Sequence, residues 1–130
     1  MTPNFIVGQK PPNWDLLVKT FKVKWEETVV TYGNNIYSSK PLPKDLQAHE
    51  TIHVQQQSEN TEEWWDKYIK DPEFRLSQEI EAYRGQMKYI KGCVKDRNII
   101  DKARTKLAGV LSSAMYGECI TFTRAYQQLL

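Results

Sequence analysis

The only two histidines of this 130-residue chain, His49 and His53, stand four residues apart with Glu50 between them. On an α-helix, residues at that spacing lie one above the other on one face, so both imidazoles can point at a single ion. At about 100° per residue, Leu46, His49, Glu50, His53 and Gln57 fall within roughly one third of the circumference, while Ala48 and Thr51 point away. Two ligands and a carboxylate therefore converge. Zinc-assisted hydrolysis wants this arrangement: neutral imidazoles hold Zn²⁺ without cancelling its charge, water at the metal becomes acidic, and a carboxylate beside that water can take its proton.

Two histidines leave a catalytic zinc one protein ligand short, so a carboxylate or a cysteine has to complete the set. In Glu79-Ile80-Glu81-Ala82-Tyr83 two glutamates compete. With Leu76 set at 0°, Ile80, Tyr83, Met87 and Ile90 form an apolar stripe within about 40° of it; Glu79 falls near about −60° and Glu81 near about 140°. Glu79 borders the buried face and Glu81 faces water. Glu79 is the candidate third ligand. A surface glutamate paired with Lys or Arg is the bland alternative, and Cys93 and Cys119 stand behind it.

His49-Glu50-Thr51-Ile52-His53 resembles the zincin metallopeptidases, a likeness that implies His49 and His53 as zinc ligands and Glu50 as general base. A Glu-x-x-Ala helix after that motif, here Leu76-Ser77-Gln78-Glu79-Ile80-Glu81-Ala82-Tyr83, resembles the gluzincin group and implies Glu79 as third ligand. Several gluzincins place an aspartate four residues after this glutamate to orient a zinc histidine, and this chain has Tyr83 there. The order of strands, His-Glu-x-x-His and Glu-x-x-Ala is similar to small metallopeptidase-like proteins of phages and bacteria, over about residues 20 to 90. The resemblance implies a peptide or protein substrate whose extended chain adds to the free edge of a strand preceding the metal helix, a place taken here by Thr28 to Tyr37. Two rivals stand beside it: a non-catalytic, zinc-stabilised interaction module, and an amidase acting on peptidoglycan.

Amide hydrolysis also builds negative charge on the carbonyl oxygen, which a hydrogen-bond donor normally meets. No histidine is left for that task. Tyr116, beside Gly117 in an expected loop, is the first candidate and Tyr83 the second, with a core tyrosine as the alternative.

The elements that must position these groups follow from periodicity. Residues 1 to 12 carry three prolines and read as an extended arm. Asn13 reads as the cap of a short amphipathic helix over 14–21 whose inner face would cover a sheet. Lys22-Val23-Lys24-Trp25, Thr28 to Tyr32 and Ile36-Tyr37 read as a small antiparallel meander turned at Gly33-Asn34-Asn35. The metal helix should open at Lys44 or Asp45 and run to about Ser58. Gln56 shares its histidine side and reads as a solvated or core-edge glutamine, with a hydrogen bond to a histidine as the alternative. Trp64, Trp65 and Tyr68 belong to a helical stretch over 61–70 and should pack on the core. Asp71-Pro72 breaks it before a long helix to about Gly92. Further helices are expected over 97–112 and after Thr121.

The expected whole is one α+β domain over 1–130, a minimal zincin-like fold with a helical C-terminal part. Eighteen basic against 16 acidic side chains give +2, too near neutrality to argue for a nucleic-acid or membrane partner. Cys93 and Cys119 read as free, buried thiols. Without a basic leader or long apolar run, the expected location is the cytoplasm, that of the host cell if a phage encodes the chain.

Overall fold

A β-hairpin and a pair of crossing helices are the frame on which the site is built. In the computed structural model, which describes residues 2–130, the hairpin consists of β2 (Val29–Tyr32) and β3 (Asn35–Ser38), paired antiparallel with Tyr32 opposite Asn35. Gly33 closes it at φ +65°, a conformation that favours glycine at the first position of a two-residue turn. The domain is α+β, as expected, but its sheet is mixed. β1 (Asn4–Val7) lies in the segment expected to be an arm and pairs parallel to β3, giving the order β1-β3-β2. Its residues are mostly exposed on both faces, so there was no apolar alternation to read. Backbone bonds and an Asn4–Asn35 side-chain bond hold it instead.

The expected first strand of the meander is absent. Lys22 ends α1 (Trp14–Phe21) in the left-handed conformation, φ 54°, and Trp25–Glu27 forms a 3₁₀ turn. Trp25 there meets Trp14 edge-on at 5.3 Å, a tertiary contact that overrides the β-propensity of Val23 and Trp25. Asn13 precedes α1 but makes no capping bond with its side chain. Trp14 and Leu17 of α1 pack on Val30, so one face of the sheet is covered as expected.

α2 (Lys44–Gln56) contacts the sheet through Glu50 and Thr31. α3 (Thr61–Lys70) is capped by Asn60, and Asp71 both ends α3 and caps α4 (Pro72–Cys93), accepting from the amides of Glu73 and Phe74. Arg75, buried on α4, reaches back to the carbonyls of Tyr68 and Ile69 at 2.8 and 3.0 Å. A cation thereby faces the negative end of α3 and fixes the corner between the two helices. α2 and α4 approach closely at Gly85, where an added Cβ would lie 2.8 Å from Ile52 Cγ1. Only glycine fits there.

α5 (Arg97–Leu111) and α6 (Phe122–Gln128, capped by Thr121) form the C-terminal layer, whose Leu107, Leu111, Ala125 and Leu129 pack on Tyr83 and Met87 of α4. Leu76, Ile80 and Ile90 join that core, as their stripe predicted. Cys93 and Cys119 are free but exposed rather than buried; one ends α4 and the other follows a turn, so neither reaches an apolar interior. Among the described residues no helix is long and apolar enough to cross a membrane.

Candidate metal centre

α2 carries His49, Glu50 and His53 into the interior, and each can offer a ligand atom within 4.8 Å of the others, a buried group that could hold a metal ion. α4 brings Glu79 to the same point. Its Oε1 lies 3.2 Å from His49 Nε2 and 3.3 Å from His53 Nε2, while Oε2 accepts a 2.5 Å hydrogen bond from Tyr68 Oη. Glu79 is buried and Glu81 exposed, as the helix angles indicated.

The tautomers of both histidines follow from their neighbours. Gln86 Nε2 donates to the Asp45 carboxylate at 2.9 Å, so its Oε1 must face His49 Nδ1, 3.1 Å away, and that nitrogen carries the proton. Gln56 Nε2 donates to Gln78 O and Glu81 Oε1, so its Oε1 accepts from His53 Nδ1 at 2.8 Å. Both Nε2 atoms are thereby left with lone pairs aimed at one place, except where a proton occupies them. Gln56 is accordingly a half-buried, core-edge residue that also supports His53, the alternative considered for it.

The separations to Glu79 suit a small ion held tetrahedrally. A tetrahedral ion with bonds of about 2.0–2.1 Å needs neighbouring ligand atoms about 3.3–3.4 Å apart, which matches the two nitrogen–oxygen separations to Glu79. Burial pulls the pKa of His53 down, but the Glu79 charge and hydrogen bond, with Glu50 behind them, outweigh it and raise it to about 9. Burial likewise opposes ionisation of Glu79, yet the two imidazoles hold its carboxyl well below the usual glutamate range.

Glu50 is held differently. Thr31 Oγ1 donates to its Oε1 at 2.9 Å, and its Oε2 lies 3.7 Å from His49 Nε2. Thr31 is fixed in turn by its carbonyl, which accepts from Gln57 Nε2 at 2.8 Å and Trp65 Nε1 at 3.1 Å. Gln57 Oε1 also takes the Gly33 amide, pinning the hairpin to the end of α2.

Tyr116 lies in a 3₁₀ turn, Ala114–Tyr116, rather than a loop; it is buried, lines the cleft, and its hydroxyl is 2.9 Å from that of Tyr83. Tyr83 places its ring edge-on to His49 at 4.3 Å and orients no histidine through its hydroxyl; Gln86 has that task. Burial and the Glu79 charge push both phenols upward, so each keeps its proton. The cleft in front of these groups has a free volume of about 90 Å³ and an apolar wall that includes Leu17, Phe21, Val30, Trp65 and Met115.

Tyr68, Gln86 and Thr31 were not foreseen as site residues. Gln86 alone carried a signal: it falls near about −80° on the α4 wheel, beside Glu79. Tyr68 looked like one more core aromatic, and Thr31 like any strand threonine. Protein-family models, curated proteins and solved structures gave no match to this chain.

Proposed function

We propose that the chain is a zinc-dependent metallopeptidase that holds its ion with His49, His53 and Glu79 and uses Glu50 as general base. The observation that carries this reading is the meeting of two Nε2 lone pairs and Glu79 Oε1 at one buried point with a second carboxylate beside it. Zinc bound there would lower the pKa of water and polarise the substrate carbonyl.

The chain's own groups have separate tasks. Thr31 fixes one oxygen of Glu50 and leaves the other to take a proton from water and pass it to the departing amine. Gln86 and Gln56 keep both imidazoles in the ligating tautomer, and Tyr68 stops the Glu79 carboxylate from turning. Tyr116, which lines the cleft and keeps its proton, is the donor we assign to charge developing on the carbonyl oxygen. The apolar wall of the cleft suits an apolar substrate side chain beside the reacting bond.

Glu50→Gln is the test. Zinc content should stay near one per chain while cleavage of a peptide pool falls by about 10²- to 10⁴-fold; unchanged turnover would refute the role of Glu50. A second reading, a non-catalytic zinc-stabilised module, draws support from the closeness of Glu50 to the histidines, which would let it complete a closed ligand set. Full zinc loading without hydrolysis of peptides or cell-wall amides would favour that module.

A further inference from the structure

Val29 and Thr31 present the backbone of β2 to the cleft, and the two are not equally available. Tyr32 and Asn35 close the hairpin turn, so by strand alternation Tyr32 and Val30 use their amides and carbonyls on β3 while Thr31 and Val29 turn theirs outward. β2 is an edge strand, and Thr28 to Thr31 line the same cleft as His49, Glu50 and His53. An unpaired edge beside a reactive cluster is a template for an extended peptide.

That template is short at both ends. The carbonyl of Thr31 already accepts from Gln57 Nε2 and Trp65 Nε1, which uses both of its lone pairs. At the other end the chain leaves the extended conformation at the Trp25–Glu27 turn, and Thr28 Oγ1 is bonded back to Lys24 O. Thr31 cannot shift to free its carbonyl without disturbing Glu50, because its hydroxyl holds that carboxylate. What remains open is Val29, with the amide of Thr31 beside it.

We infer that Gln57 and Trp65 are specificity-determining residues: they close the β2 edge beyond Val29, so the cleft pairs with an extended segment of only about three residues. This rests on the peptidase reading. Added substrate length beyond that segment gains no ladder bonds, and the preferred substrates are short peptides or segments extended for a few residues only.

The experiment uses zinc-loaded Glu50→Gln protein, in which glutamine keeps the acceptor for Thr31. Leucine–threonine peptides blocked at both ends, of two, four, six and eight residues, are titrated while the amide resonances of Val29 and Thr31 are followed; zinc uptake is measured on the same samples. Affinity should rise from two to four residues and then stay within about twofold through eight, since no further backbone bonds form. Trp65→Val, which vacates the space, should restore a gain of about threefold or more between four and eight residues. Trp65→Phe, which removes the N–H but keeps an aromatic ring in most of the space, should restore a smaller one. Affinity climbing steadily to eight residues in the unaltered Trp65 protein would overturn the inference, as would peptides that leave both amides unmoved. Missing zinc with the length pattern intact would instead sink the metallopeptidase reading and leave the closed edge standing.

Discussion

His49 is backed by a glutamine delivered from another helix, whereas His53 is backed by a glutamine three residues along its own. Gln86 is buried and ends on Asp45, in the first turn of α2; Gln56 is half-buried and ends on exposed Glu81 of α4. The same chemical device is thus built once across a tight helix crossing and once at its rim. Geometry at His49 depends on the separation of α2 and α4, while at His53 it depends on the conformation of one helical turn. In both, a neutral amide stands between carboxylate and imidazole, so the tautomer is fixed without a negative charge at Nδ1, and the carboxylate of Glu79 meets each ring only at Nε2.

Several substitutions would break or sharpen that comparison. The largest effect belongs to the shared oxygen: Glu79→Ala should lower zinc affinity by more than about 100-fold, while Glu81→Ala changes it by about tenfold or less, both read by competition with a chromogenic chelator. Equal losses would remove Glu79 from the ligand set. Gly85→Ala should come next, costing about 1–3 kcal/mol of stability in urea unfolding because its Cβ would meet Ile52 at 2.8 Å. Ile52→Val, made in the same chain, should recover little of that, since Cγ1 becomes another methyl in the same place.

Gln86→Ala should then cost about 10- to 100-fold in zinc affinity, and Gln56→Ala less, because water can replace a support at the rim more readily than one in the interior. A reversed order would overturn the contrast between the two histidines. The most graded effect is that of pH. With His53 raised to about 9, zinc must displace its proton below that value, so apparent affinity should fall about tenfold per pH unit as pH drops from 9, with close to one proton released per ion bound. The metal-free protein behaves oppositely. The raised histidine contributes stability that is fully present below the ordinary value of 6.5 and is lost as pH rises through about 9; the depressed Glu79 contributes above the ordinary glutamate value of 4.5 and is lost in acid. Thermal unfolding without zinc should therefore be latest between those two ordinary values.

The helices were legible because their signals are local and repeated. Lys44 to Gln56 follows a proline-marked loop, and the stripe from Leu76 to Ile90 places Glu79 at the buried border, where it lies. The α+β class was readable for the same reason. β1 was not, because a parallel edge strand exposed on both faces has no apolar rhythm and depends on a partner about thirty residues away. Trp25 was misjudged because its tryptophan partner, not its own propensity, decides its conformation. The supports of the site, Tyr68, Thr31 and Gln86, each reach a site side chain on another element through a hydrogen bond, and such a bond leaves no periodic trace in a sequence.

Both thiols face outward, and the interior cluster of His49, Glu50 and His53 offers only nitrogen and oxygen. In terms of donor softness the molecule is divided, with hard and borderline donors gathered inside and the thiols outside. Capping Cys93 and Cys119 with an alkylating reagent should therefore leave metal uptake by the interior cluster unchanged.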